Sequence, residues 1–172
     1  MPYTSLYITP PSFDNLLLVS NGDLLTGLHF VGSRKAMRDV REGEEADLPI
    51  FRETRRWLDD YFSGHQPGFT PRYILENVTP FRQEVSDIMR TIPFGETLTY
   101  GEIAMRIAQK HGMVRMSAQA VGGAVGWNPI CLIIPCHRVM GAGGQLTGYG
   151  GGINNKIALL GLEGVEVCFP IR

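Results

Sequence analysis

Between Met140 and Gly152, seven of thirteen residues are glycine. Glycine loses the most backbone entropy on folding and offers no side chain to pack. This stretch is therefore a loop, and it limits what can stand on either side. Before it lies Ile130-Cys131-Leu132-Ile133-Ile134, an apolar run approached through Asn128-Pro129 and stopped by Pro135. The run reads as a short buried strand. Cys136-His137-Arg138-Val139 occupy the junction of strand and loop. A rigid support meeting a loop is the usual place for a reactive group. Pro135 fixes its own φ and restricts Ile134, so Cys136 sits on a stiff segment. His137 and Arg138 beside it favour the thiolate, the form a nucleophilic cysteine needs. Neighbours in an extended chain point to opposite faces. His137 is thus expected to reach the thiol through a water, with a carboxylate beyond it setting the tautomer. Glu163, just past the last helix, is the candidate.

The elements around this junction are well punctuated. Thr79-Pro80 is a cap followed by proline at the first helical position, and Phe81, Val85, Ile88, Met89 and Ile92 mark one helical face. Thr99 and Glu102 have the form of a capping box, placed to satisfy each other's orphan amides. Tyr100, Ile103, Ala104, Ile107, Ala108 and His111 form the stripe of a second helix, closed by Gly112. Ser117 caps a third over Ala118–Val125. This third helix carries Ala118, Ala120, Gly122, Gly123 and Ala124, so little side-chain bulk stands on it. Its small face suits tight helix packing or close approach to a ligand such as a DNA groove. The outline of helix, turn and small-faced helix is that of a helix-turn-helix. A final helix runs over Asn154–Gly161.

The first half is quieter. Apolar segments flank Asn21-Gly22, a strong hairpin signal. Arg34 to Asp47 is charged and short of core residues, which predicts an exposed connection. Asp47 is placed to cap a helix whose first turn holds Pro49 and whose apolar face is Ile50, Phe51, Thr54, Trp57, Leu58, Tyr61 and Phe62. Gly64 ends it. A boundary near residue 75 divides the chain into a supporting lobe, 1–75, and a second domain, 76–172. Nothing in the first lobe reads as a reaction centre.

Charge and composition exclude several classes. The 172 residues carry a net charge of −1, with 44% hydrophobic and 19% charged residues, an ordinary globular mixture. The longest apolar runs fall far short of the ~18 residues that span a bilayer, and no basic-then-apolar signal opens the chain. Three cysteines cannot complete a disulfide framework, so a reducing cytoplasm is expected. Cys131 and Cys168 read as small buried hydrophobes. On a strand, Cys131 and Cys136 would face opposite ways, and no C-x-x-C or H-x-x-x-H pair is present, which disfavours a metal. The glycine loop lacks the ending of a phosphate cradle. His29, His65 and His111 read as structural or surface residues.

Ile134-Pro135-Cys136-His137-Arg138-Val139 resembles the active-site signature of the O6-alkylguanine-DNA alkyltransferases. The resemblance extends through Phe94-Gly95, Thr99-Tyr100, Ala120 to Ala124, Asn128-Pro129, Gly148-Tyr149-Gly150-Gly151, Lys156 to Leu160 and Glu163-Gly164. It implies an α/β fold with a small α/β, ribonuclease-H-like first lobe. The second domain would be mainly helical, with a winged helix-turn-helix-like unit. It implies a DNA repair protein that flips O6-alkylguanine out of the duplex and moves the alkyl group irreversibly to Cys136, one turnover per molecule. By the same resemblance, His137 acts through a water as base and Glu163 orients it. Tyr100 turns the flipped nucleotide and protonates the departing guanine. Asn128 braces the turn between the third helix and the active-site strand. DNA would be met by Arg115, Ser117, Ala118, Gln119, Ala120, Gly123 and Arg138, and the base by Val139, Tyr149, Gly150 and Gly151. No cofactor, metal, membrane or obligate protein partner is implied, and a monomer is expected. Two positions depart from the family: Gln119 stands where an arginine usually fills the gap in the stack, and Gly150 where a hydroxyl often meets the guanine O6. The alternative reading is a lesion-binding relative that recruits other repair factors without alkyl transfer.

Overall fold

The computed structural model describes residues 1–167. The first lobe is a four-stranded sheet in the order β3-β2-β1-β4, built from β1 (Tyr3–Tyr7), β2 (Leu16–Ser20), β3 (Leu25–Phe30) and β4 (Glu44–Glu45). The first three strands are antiparallel, with Leu6 opposite Leu17 and Leu18 opposite Leu28, while β4 joins β1 in parallel. The expected hairpin is β2–β3. Asn21 makes its turn by accepting from the amides of Asp23 and Leu24 at 3.1 and 3.0 Å. Every residue of β2 is buried, because the sheet is covered on both sides. Helix α2 (Pro49–Phe62) packs on the face that carries the main core, and Ala36 of α1 (Arg34–Glu42) meets Leu17 and Val19 on the other.

Helix α1 corrects the expectation of an exposed connection over 34–47. Ser33 caps it, accepting from the Ala36 amide at 3.2 Å. Its only buried residues are Ala36 and Asp39, and Asp39 is paired with His29 at 3.4 Å. Such a helix has no apolar stripe to read, although Arg, Lys, Ala, Met and Glu are strong helix formers. Asp47 does not cap α2 either. Leu48 holds that position without a side-chain bond, and Asp47 accepts from Arg52 instead.

The second lobe packs α3 (Pro80–Arg90), α4 (Tyr100–Lys110) and α5 (Ala118–Trp127) around Val85, Met89, Ile103, Ile107, Val121 and Val125. Thr79, Thr99 and Ser117 cap these helices as expected. The capping box closes only on one side: Glu102 accepts from the Thr99 hydroxyl at 3.2 Å rather than from its amide. A short parallel pair, β5 (Leu98–Thr99) with β6 (Val139–Met140), ties the helices to the glycine loop, and α6 (Ile153–Leu162) closes the described chain. Cys168 lies outside the described residues. Among those described, no helix is long and apolar enough to cross a membrane.

Ile130–Ile134 is not a strand. Ile130 makes a single bridge to Leu28, and the chain then turns, with the Ile134 amide donating to the Ile130 carbonyl at 3.0 Å. Leu132 takes a φ of 69°, in the left-handed region. Everything from Ile130 to Met140 is buried, so the run has no periodicity to separate strand from turn.

Candidate active site

Asn128, at the end of α5, builds the turn that delivers the cysteine. Its Oδ1 accepts from the Ile130 amide at 3.0 Å, and its Nδ2 donates to the Ile134 carbonyl at 2.8 Å. Both backbone groups are buried and would cost about 1–3 kcal/mol each if left unpaired. Cys136 then opens a 3₁₀ turn, Cys136–Arg138, rather than ending a strand. Lys35 of α1 secures the same corner from the first lobe. Its Nζ donates to the carbonyls of Trp127 and Asn128 at 2.6 and 3.2 Å, capping the C-terminus of α5.

Behind Cys136 lies a buried acid–base pair. Nε2 of His137 is 2.6 Å from Oε2 of Glu163, and both side chains are fully excluded from solvent. Burial pushes the Glu163 carboxyl up, but bonds to His137 and Arg138 outweigh it and hold the group at about 2. An ionised carboxylate only accepts, so Nε2 carries a proton, and in the neutral form of the ring Nδ1 is the acceptor. Nδ1 is buried and has no partner among the described residues. Among the described residues no direct Cys136–His137 hydrogen bond is present, and the two sit on a turn rather than on an extended strand.

A cleft of about 390 Å³ opens on the thiol, within the usual ~300–1,000 Å³ of small-molecule sites. Tyr100, Gly122 and Asn128 line it from the helices, with Cys131 and Cys136, and Tyr149, Gly150 and Gly151 line it from the glycine loop. The Tyr100 hydroxyl lies 3.2 Å from that of Thr147. A Cβ on Gly151 would meet the rings of Phe30 and Tyr149 at 2.7 Å, whereas one on Gly150 would meet open space. The Cys136 thiol is lowered well below its ordinary value. The first cause is a hydrogen bond with Cys131; burial opposes it, and Tyr149, the charge of His137 and Asn128 add to it. Tyr149 Oη lies 3.5 Å from Cys136 Sγ.

The helix-turn-helix face stands beside the cleft. Ser117 accepts from the Ala120 amide at 3.1 Å, and Ala118, Gln119, Ala120 and Gly123 are exposed along α5, with Arg115 exposed ahead of the cap. Its inner face buries Val121, Ala124 and Val125. Both uses of small residues are thus present on one helix.

Two expected positions fall elsewhere. Arg138 is buried at 4% exposure and cannot reach a DNA backbone. Its guanidinium grips Glu163 through Nε–Oε1 at 2.8 Å and Nη2–Oε2 at 3.1 Å and donates to the Ile92 carbonyl at 2.8 Å. The Val139 side chain is wholly buried and does not line the cleft; its carbonyl accepts from Lys156 Nζ at 2.8 Å.

Other contributors went unnoticed in the sequence. Lys156 is buried, and burial lowers its amine to about 8. It shares a helical face with Ile153 and Leu160, and a lysine on an apolar stripe was the available signal. Cys131 is buried as expected, yet it lines the same cleft as Cys136. The first lobe is more than a support. His29, Phe30, Ser33, Arg34 and Lys35 form a wall of the cleft, and Tyr61 reaches Glu163 at 2.6 Å. No local pattern carries that information, because the partners are up to 102 residues apart. His29 and His111 are structural, paired with Asp39 and Glu84.

A buried thiol in a cleft, backed by an imidazole and a carboxylate, beside a helix-turn-helix with a small outer face, fits a DNA-directed protein with a reactive cysteine. The comparisons agree. Residues 3–70 match the family model for the 6-O-methylguanine DNA methyltransferase ribonuclease-like domain, and residues 80–165 match that family's DNA-binding domain. A methylated-DNA–protein-cysteine methyltransferase of Haemophilus influenzae is 38% identical over 93% of this chain and 87% of its own length. That of Mycobacterium leprae is 42% identical over 88% and 87%. The crystal structure of the Mycobacterium tuberculosis O6-methylguanine methyltransferase superposes with a TM-score of 0.78 at 40% identity, covering 95% of this chain and 93% of that one. The Mycobacterium tuberculosis protein in complex with DNA gives 0.76 at 40% identity, over 94% and 91%. This chain belongs to the 6-O-methylguanine DNA methyltransferase family.

Proposed function

We propose that the protein repairs double-stranded DNA by direct reversal, drawing O6-alkylguanine into the cleft and accepting its alkyl group on Cys136. The observation that carries this reading is Cys136 lining a cleft beside the small face of α5, with the His137–Glu163 pair behind it. The thiolate attacks the alkyl carbon, the carbon–O6 bond breaks, and the electron pair leaves with guanine. Tyr100 at the cleft wall supplies the proton to the departing base. His137 Nδ1 takes the thiol proton through a water, Glu163 fixes the tautomer, and Asn128 holds the turn. The thioether is stable, so each molecule acts once and needs no cofactor. Ser117, Ala118, Gln119, Ala120 and Gly123 lie against the DNA with Arg115 nearby, and Tyr149, Gly150 and Gly151 hold the base. The supporting lobe ends near residue 75, and the protein works as a cytoplasmic monomer.

An intact-protein mass spectrum with an O6-methylguanine duplex tests this. One methylene mass gained on Cys136, stopping at one per chain, is expected. Binding without a mass change would favour the non-transferring, lesion-recruiting alternative.

A further inference from the structure

We propose that Tyr61, in the first lobe, is a positioning residue for alkyl transfer that keeps the Glu163–His137 pair in its proton-accepting state. The inference rests on the reading of Cys136, His137 and Glu163 given above. Tyr61 lies on α2 and is fully buried. Its ring stacks on Trp57 at 5.4 Å and 4°, and meets Phe62, Phe94 and the His137 imidazole edge-on at 5.3, 5.9 and 6.4 Å. A phenylalanine would make all of these contacts. The hydroxyl is what packing does not explain, because a buried hydroxyl is costly unless it finds an acceptor.

Its acceptor is specific. Tyr61 Oη donates to Glu163 Oε2 at 2.6 Å and sits 3.4 Å from His137 Nε2. That carboxylate oxygen is the one that receives the His137 proton. The other oxygen accepts from the Gly95 amide at 3.1 Å and from Arg138 Nε at 2.8 Å, and Arg138 Nη2 also reaches Oε2, at the longer distance of 3.1 Å. Arg138 fixes the plane of the carboxylate with its fork; Tyr61 acts on the oxygen facing the imidazole. Burial and the Glu163 charge raise the Tyr61 hydroxyl well above its ordinary value, so it remains a donor. By sharing Oε2, it weakens the pull that would hold a second proton on the imidazole. Nδ1 is then free to accept.

The groups around His137 act in known directions. Cys136 and Arg138 flank it on its own turn; Glu163 comes from the end of α6; Tyr149 lies beyond Cys136; Tyr61 reaches the pair from α2. Without the Tyr61 hydroxyl, the Oε2 charge falls more fully on His137. The imidazolium is favoured, and the base is lost at a higher pH.

The test is the single-turnover rate of Cys136 methylation as a function of pH for the full-length wild type and Tyr61→Phe, each read by mass and accompanied by duplex affinity. The expected result is a roughly 10-fold slower transfer near pH 6.5, the acid limb moved up by about one pH unit, and unchanged affinity for the duplex. A profile of wild-type shape, at any rate, overturns the proposal, since a purely structural loss lowers the rate without moving the limb. Should Tyr61→Phe not fold, fluorination of the Tyr61 ring in the intact chain makes the hydroxyl a stronger donor. The limb must then move to lower pH, and an unmoved limb overturns the proposal equally. If the wild type itself gains no mass on Cys136, it is the alkyl-transfer reading that fails.

Discussion

At the scale of single residues, the site is governed by space and by buried polar groups. Gly151 has no room for a methyl group against Phe30 and Tyr149. Gly151→Ala is expected to cost about 1–3 kcal/mol by overpacking and to slow transfer, while Gly150→Ala leaves thermal stability unchanged. Parallel melting curves of the two variants check this contrast. The open space at Gly150 also admits a hydroxyl. Gly150→Ser should raise the rate on O6-methylguanine relative to O6-benzylguanine, measured on matched duplexes; an unchanged ratio would place the O6 atom away from this position. Cys136 and His137 stood out in the sequence because a cysteine–histidine pair at an element junction leaves a local signature, and Glu163 was the carboxylate expected beside His137, where the structure places it; Asn128 was reached only through the family resemblance. Arg138 misled through that local signature. Its neighbours in sequence are functional, and a cation beside them suggests DNA, but only the packing of Glu163 and Ile92 around it shows where the guanidinium points.

At the scale of elements, α5 carries the clearest consequence. Its outward face is bare because Ala120 and Gly123 have almost nothing to project, and nothing lies within 4 Å of a Cβ built on Gly123. Gly123→Ala should therefore stabilise the helix by up to about 1 kcal/mol. Gly123→Leu should keep the fold and weaken duplex binding by roughly 10-fold or more, since close approach to a groove is lost. Reaction with the free base O6-benzylguanine, which needs no groove, separates the two effects: Gly123→Leu should retain it. Elements with an apolar stripe, such as α2, α3 and α4, could be read from their spacing. Helix α1 could not, because it buries one alanine and one ion-paired aspartate rather than a stripe. The segment 130–134 could not either. A turn whose every residue is buried has the same composition as a buried strand, and Asn128 decides between them through bonds to Ile130 and Ile134.

At the scale of the whole molecule, the two lobes share one site. Lys35 caps α5 and Tyr61 reaches Glu163, so the first lobe contributes to both α5 and the acid–base pair. Removing the Lys35 amine, as in Lys35→Met, leaves the α5 carbonyls without that donor. It should lower the melting temperature and weaken duplex binding together, by calorimetry and by titration. Acid stability is another property of the assembled molecule. The Glu163 carboxyl falls from 4.5 to about 2 on folding. Its folded pKa is depressed, so its contribution, on the order of 3 kcal/mol, is present above the unfolded value and is lost as pH falls through the folded one. Urea titrations between pH 6 and pH 2 should show stability declining from about pH 5 downward. Glu163→Gln should flatten that decline while lowering stability at neutral pH.

The sequence by itself determined the family, the reactive cysteine and its histidine, the helix-turn-helix and the loop that follows, since each is encoded in adjacent residues or in a short helical or turn period. The tertiary structure alone decided that Cys136 rides on a turn, that Cys131 lines the same cleft, that Arg138 faces inward, and that the first lobe supplies Lys35 and Tyr61. Those outcomes depend on which groups meet across tens of residues of chain. A buried polar atom must take whichever partner the packing brings within bonding distance, and no local pattern names that partner in advance.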